Sequence, residues 1–222
     1  MNPALLAAAL VVAAGAVVCV SARDARVALA GLAATLVAAP FLADPLPGPL
    51  PIAARVVAAL LAVYLPWILV REPGSITRGS LLGLPVETLV AAAAFVIGYG
   101  TAGLGAPALG PSEAQAAGFA LIALAVGPLV FSRDVFRSGS GAALLLGGVL
   151  LVRSSLAGSP GPLEELVTGA LFIALGGAVS FLISSAAEAG VSGGEALVAA
   201  ATEPELPAAR RRSTMRSAGG GR

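Results

Sequence analysis

Neither lysine nor histidine occurs anywhere in the 222 residues, and cysteine occurs once. Without histidine the chain lacks the usual general base and the commonest metal ligand; without lysine it lacks the amine of Schiff-base chemistry. Cys19 alone can form neither an internal disulfide nor a zinc site, and within an apolar run it reads as a small packing residue. Charged residues are also scarce, at 11% of the chain, and the formal net charge of +1 implies no acidic partner and no nucleic acid. No phosphate-cradling glycine loop, metal-ligand cluster or nucleophile–base pair stands out. These gaps predict no catalytic residues and no cofactor.

What fills the chain is hydrocarbon. Hydrophobic residues make up 58% of it and the mean hydropathy is +0.95, far from the roughly 45–50% apolar and about 25% charged residues of soluble domains. A crossing needs about 20 apolar residues to traverse a ~30 Å hydrocarbon layer. Lipid offers the backbone no hydrogen-bond partners, so each crossing must be a helix or part of a closed barrel. The short alternating segments of a barrel do not appear. The sequence therefore predicts an all-α, polytopic membrane helix bundle of about seven spans over 1–187. The spans run over about Pro3–Val20, Val27–Ala43, Pro51–Val70, Leu81–Tyr99, Glu113–Phe131, Gly141–Val152 and Leu163–Ser185. The sixth is the shortest and carries frayed ends beyond those bounds. The first is read as a permanent helix, because Met1-Asn2-Pro3 lacks the positive start of a signal peptide. Pro40, Pro66, Pro85 and Pro128 should kink or end their spans locally. From 188 to 222 the composition turns to Gly, Ser, Glu and Arg, which predicts a disordered cytoplasmic tail.

All 13 basic residues are arginine, and they alternate sides. Arg23 and Arg26 follow span one, Arg71 and Arg78 span three, Arg133 and Arg137 span five, and five more lie in the tail, including Arg210 to Arg212. The connections after spans two and four carry none. Basic residues favour the cytoplasmic side. The expectation is an odd number of crossings of the cell membrane, with the N-terminus outside and the C-terminus cytoplasmic.

Ionisable residues inside a bilayer cost about 2.5–3.5 kcal/mol at a helix centre on insertion scales, so they are functional candidates. Two qualify. Arg55 lies about a turn inside span three, where it can snorkel, pair with an outer group such as Asp44, or serve a polar path or subunit contact. Glu87 lies about two turns into span four, after Pro85, and reads either as a solvated carboxylate near the inner surface or as a buried proton acceptor. Glu164 and Glu165 open span seven, where carboxylates complement the helix dipole. Arg23-Asp24 and Arg133-Asp134 read as solvated loop charges. Small residues form stripes at Gly141 and Gly148 on span six and at Gly169, Gly176, Ser180 and Ser184 on span seven. Such stripes let membrane helices approach closely, within the chain or against partners.

The run Ser132-Arg133-Asp134-Val135-Phe136-Arg137, followed by Gly141-Ala142-Ala143-Leu144-Leu145-Leu146-Gly147-Gly148, resembles membrane component E of hydrogenase-4 and formate hydrogenlyase complexes. The C-terminal half is similar in turn to subunit K of NADH-quinone oxidoreductase. The resemblance implies seven spans, an outside N-terminus and antiporter-like subunits as partners in the bilayer. Arg55 stands where component E usually has Lys, and Thr168, Ala170 and Phe172 fit the start of the family's last helix. The family's embedded Glu falls on Leu146, its neighbouring Asn on Gly147 and a later Asp on Gly169. A leucine takes up no proton. The implied function is a non-catalytic membrane subunit of a complex I-like or group 4 hydrogenase-like assembly; the alternative is a stand-alone small transporter or channel.

The orientation is open to a direct check. A reporter fused after Arg222 should be active only when it matures in the cytoplasm, and a signal confined to the periplasmic side would reverse the arrangement.

Overall fold

The structure, a computed structural model, describes residues 2–70, 83–105, 108–132 and 134–188. Among them are seven α-helices and no strand: α1 Pro3–Ser21, α2 Ala25–Ala38, α3 Pro49–Leu69, α4 Leu84–Gly100, α5 Ser112–Phe131, α6 Val135–Ala157 and α7 Pro162–Glu188. A 3-10 turn, Ala39–Leu42, extends α2. Six of these helices, α2 with its extension included, are long and apolar enough to cross a membrane, and α4 is shorter. This is the architecture of a multi-pass membrane protein. The tail from 189, the Arg71–Gly74 turn, Arg78 and Arg133 lie outside the described residues.

Helix starts are set by short-range chemistry. Asn2, Asp24 and Asp134 each accept a hydrogen bond from the amide two residues on, at 3.1, 2.8 and 3.1 Å, satisfying an orphan N–H at the start of α1, α2 and α6. Asp24 and Asp134 are thus caps rather than loose loop charges. Pro3, Pro49 and Pro162 open α1, α3 and α7, where a missing N–H costs nothing. The Gly161 N–H donates to Glu164 Oε2 at 3.0 Å, half of a capping box. Gly158, at φ +83°, ends α6.

The sixth span is longer than its apolar run suggests. Instead of Gly141–Val152, α6 covers 23 residues and takes in Arg137 and Arg153. Both arginines look like boundary charges in the sequence, yet each finds a partner. Arg137 Nη1–H donates to the Val20 carbonyl at 2.9 Å and Nη2–H to the Ala22 carbonyl at 2.8 Å. These carbonyls close α1, so the guanidinium sits at the negative end of that helix. Arg153 pairs with Glu164 at an exposed edge.

Small residues set the helix contacts. A Cβ on Gly15 would lie 2.8 Å from the Gly31 carbonyl oxygen, so α1 and α2 cross at backbone contact, antiparallel. Gly118 and Gly148 hold α5 and α6 together in the same way, each facing the other's carbonyl oxygen at 2.8 Å. Gly98 brings α4 onto Ala116 and Phe119 of α5. Dispersion and backbone proximity drive such contacts where lipid supplies no hydrophobic force. α1 and α5 form the centre, α1 touching α2, α4, α5 and α6.

α3 and α7 stand apart as a parallel pair. Ala58 faces Gly169 and Ala62 faces Gly176, where a Cβ would come 2.4 Å from the Ala62 oxygen. Their mutual interface is among the largest in the bundle, while their contacts to α2 and α6 are much smaller. Replacing Gly176 with Leu should therefore cost about 1–3 kcal/mol by overpacking. Gly177 next to it has nothing within 4 Å of its Cβ position, so Gly177→Ala should be neutral or stabilising by up to ~1 kcal/mol. Thermal unfolding of both variants in detergent reads the contrast.

Candidate functional site

The strongest candidate is the buried charge at the start of the α3–α7 pair. Arg55 is the seventh residue of α3 and Glu165 the fourth of α7, and because the helices run parallel the two reach the same level. Arg55 Nη1–H donates to Glu165 Oε2 at 3.0 Å, with the side chains only 10% and 8% exposed. The guanidinium also lies over the ring of Phe172, 5.1 Å from its centroid, a cation–π contact that strengthens as water is excluded. Phe172 is itself fully buried. The arrangement binds two helices through charge and ring face together.

Asp44 stays exposed and does not take this role. Glu165 was missed as a partner because, at a helix start, a carboxylate is already explained by the dipole. The available signal was depth: Arg55 and Glu165 both follow a Pro-opened helix by one to two turns. Glu164, by contrast, points to the exposed rim, capping α7 and pairing with Arg153.

Glu87 lies in the first turn of α4, not two turns in, because the described helix begins at Leu84. Pro85 is in that same turn. Glu87 is 4% exposed and its Oε2 has no hydrogen-bond partner among the described residues. The positive end of α4 is the field that such a carboxylate feels. Glu87 is distant in the chain from the Arg55–Glu165 pair and packs with α4, which rests mainly on α5 and α1.

A second polar cluster escaped the sequence reading. Gln115 is fully buried in α5; its Nε2 donates to the Thr101 carbonyl at 2.8 Å, while Ser155 Oγ approaches its Oε1 at 3.5 Å. The Gly110 N–H donates to the Ser155 carbonyl at 2.9 Å. This cluster ties α4, α5 and α6 together at the end of the bundle where α5 begins. An uncharged Gln in an Ala-rich helix gives no hydropathy signal strong enough to mark it.

Of the small residues, Gly141 faces Pro128 and Leu129 of α5, and Gly148 faces Gly118 and Leu121 of the same helix. Gly169 and Gly176 face α3. Ser180 has a buried Oγ with no hydrogen-bond partner among the described residues. Among the described residues no group of three or more His, Cys, Asp or Glu is placed to hold a metal ion.

The buried pair makes a sharp energetic statement. Removing one partner, as in Glu165→Leu, leaves an uncompensated charge and should cost about 3–5 kcal/mol, whereas Arg55→Met with Glu165→Leu should recover most of that loss. Unfolding of the two single variants and the double variant measures it; additive losses would deny the coupling. No protein-family model, curated protein or solved structure matches the chain.

Proposed function

We propose that this chain is a non-catalytic membrane subunit that packs beside antiporter-like subunits in the membrane arm of a complex I-like or group 4 hydrogenase-like assembly. In this reading it crosses the cell membrane seven times, with its N-terminus outside and its C-terminus in the cytoplasm. The crossing count takes in α4, whose 17 residues extend about 25 Å at 1.5 Å per residue. The orientation is supported by the arginines: Arg23, Arg26 and Arg137 gather where α1 ends and α6 begins, and Arg55 and Arg153 sit at the other end.

The observation that carries the subunit reading is the outer face of α7. Only 22% of this span is buried, against 56% for α2 and α5. Its uncovered side presents Ala170, Ala174 and Ala178 at four-residue spacing, all exposed. A second small-residue stripe is thus turned away from the chain, on the side opposite the one that receives α3. Small residues four apart let another helix approach to backbone distance. The assembly type rests on the resemblance of the Ser132–Gly148 region to component E. Leu146, half-buried against the core, stands where that family carries its embedded carboxylate, which favours a scaffolding role over proton relay.

Glu87, whose buried oxygen has no partner among the described residues, favours a rival reading as a small stand-alone transporter or channel. That reading calls for a polar cavity at mid-membrane, whereas the crevice between α2, α3, α6 and α7 is lined almost wholly by apolar side chains. Extraction in mild detergent separates the two. A subunit should come out with larger antiporter-like and hydrogenase-like chains; recovery as a lone monomer that conducts ions in liposomes would replace the first reading with the second.

A further inference from the structure

Between α2, α3, α6 and α7 the packing leaves a narrow apolar slot, and its walls follow the helix axes. α2 lines it from Leu29 to Leu36, α6 from Phe136 to Ala143 and α7 from Phe172 to Val179. Each stretch covers about two turns, or about 10 Å at 1.5 Å per residue. The slot therefore runs along the bundle, toward the end where α2 and α6 begin. Its shape suits a chain better than a ring system.

Water has no hold there. The one hydroxyl in the walls, on Ser140, donates to the Arg137 carbonyl of its own helix at 2.9 Å, whereas a buried water takes about two to four polar partners. Left empty, the slot would deprive its walls of contacts on one side. Of the wall residues only Gly139 and Leu175 are partly exposed, so the slot meets the outside between α6 and α7. Both positions lie well inside spanning helices. What surrounds them at that depth is hydrocarbon.

Charge distinguishes the two ends of the bundle. At the end toward which the slot runs, the connections and first helical turns carry six arginines against Asp24, Glu72, Glu87 and Asp134. Asp24 and Asp134 are occupied as helix caps. The opposite end has two arginines, Arg55 and Arg153, against Asp44, Glu113, Glu164 and Glu165, and both arginines are paired.

We propose that the slot is a lipid site, holding one acyl chain of an anionic phospholipid from the leaflet at the arginine-rich end. The chain enters between α6 and α7 and lies against Leu32, Leu36 and Phe172, supplying the contacts that an empty slot lacks. The phosphate stays at the membrane surface, where an excess of basic residues favours a negative headgroup. That attraction sums over the whole end and singles out no one arginine. The inference rests on the membrane-spanning architecture and not on which assembly the chain joins; failure of co-purification would leave it standing.

Photolabelling of the full-length protein in lipid nanodiscs tests it, with a diazirine at mid-chain of phosphatidylglycerol or phosphatidylcholine. Label from phosphatidylglycerol should appear on the buried walls Leu32, Leu36 and Phe172 as well as on the exposed Leu60, Val96 and Phe181. Relative to those exposed positions, wall labelling should be at least about threefold higher from phosphatidylglycerol than from phosphatidylcholine. Ala143→Leu, which fills the slot from the α6 side, should lower wall labelling at least about threefold and leave the exposed positions unchanged. Label confined to the exposed positions, or equal wall labelling by the two lipids, would overturn the proposal. Displacement by an isoprenoid-tailed competitor but not by unlabelled phosphatidylglycerol would overturn it too, by giving the slot a different occupant. Should Ala143→Leu fail to fold, the wild-type label map decides alone.

Discussion

A buried polar group in hydrocarbon has no water to fall back on, so most are answered by another part of the protein, Glu87 Oε2, Arg137 Nε and Ser180 Oγ being exceptions among the described residues. This constraint orders the bundle. Arg137 is answered by the last carbonyls of α1, Arg55 by Glu165 and the face of Phe172, and Gln115 by the Thr101 carbonyl. Thr35 shares its hydroxyl between the Val12 carbonyl of α1 and the Gly31 carbonyl of its own helix, at 3.2 and 3.0 Å. Each solution joins helices or helix ends that would otherwise be held by dispersion alone. Several also use groups that helices must leave unsatisfied at their ends, which is why the charges lie toward the ends of the bundle and not at mid-span.

Between those polar ties, alanine and glycine do the packing. A bundle rich in small side chains gains its cohesion from backbone proximity, and α1 on α2, α5 on α6 and α3 on α7 all use it. The same economy explains the looser seam beside α3 and α7. There leucine, phenylalanine and valine side chains stand among smaller wall residues such as Ala62, Ala143 and Gly139, and a small space is left between the helices.

Much of this was legible before any coordinates. Seven apolar segments, their proline and glycine boundaries and the alternation of arginines are local properties, each readable within a window of about 20 residues. Four of the segments match their helices within two residues at both ends, α2 counted with its 3-10 extension, and the fourth and seventh within three. The sixth failed for a reason that is itself physical. Hydropathy counts Arg137 as a stop, but a guanidinium aimed at the carbonyl end of another helix is satisfied in place, so the helix continues around it. Glu87 moved from the second turn to the first because the described α4 starts later than its apolar run suggests.

The sequence by itself determined that the chain forms long apolar helices, where most of them begin and end, and which few charges lie within them. Only the tertiary structure decided the partners. Arg55 and Glu165 are 110 positions apart, and no periodicity within either helix reveals that they share a depth and a face. That outcome depends on α3 and α7 running parallel and touching through Ala58, Ala62, Gly169 and Gly176. Helix formation is settled by bonds a few residues long, whereas the pairing of helices is settled by shapes that meet only once the whole bundle has assembled.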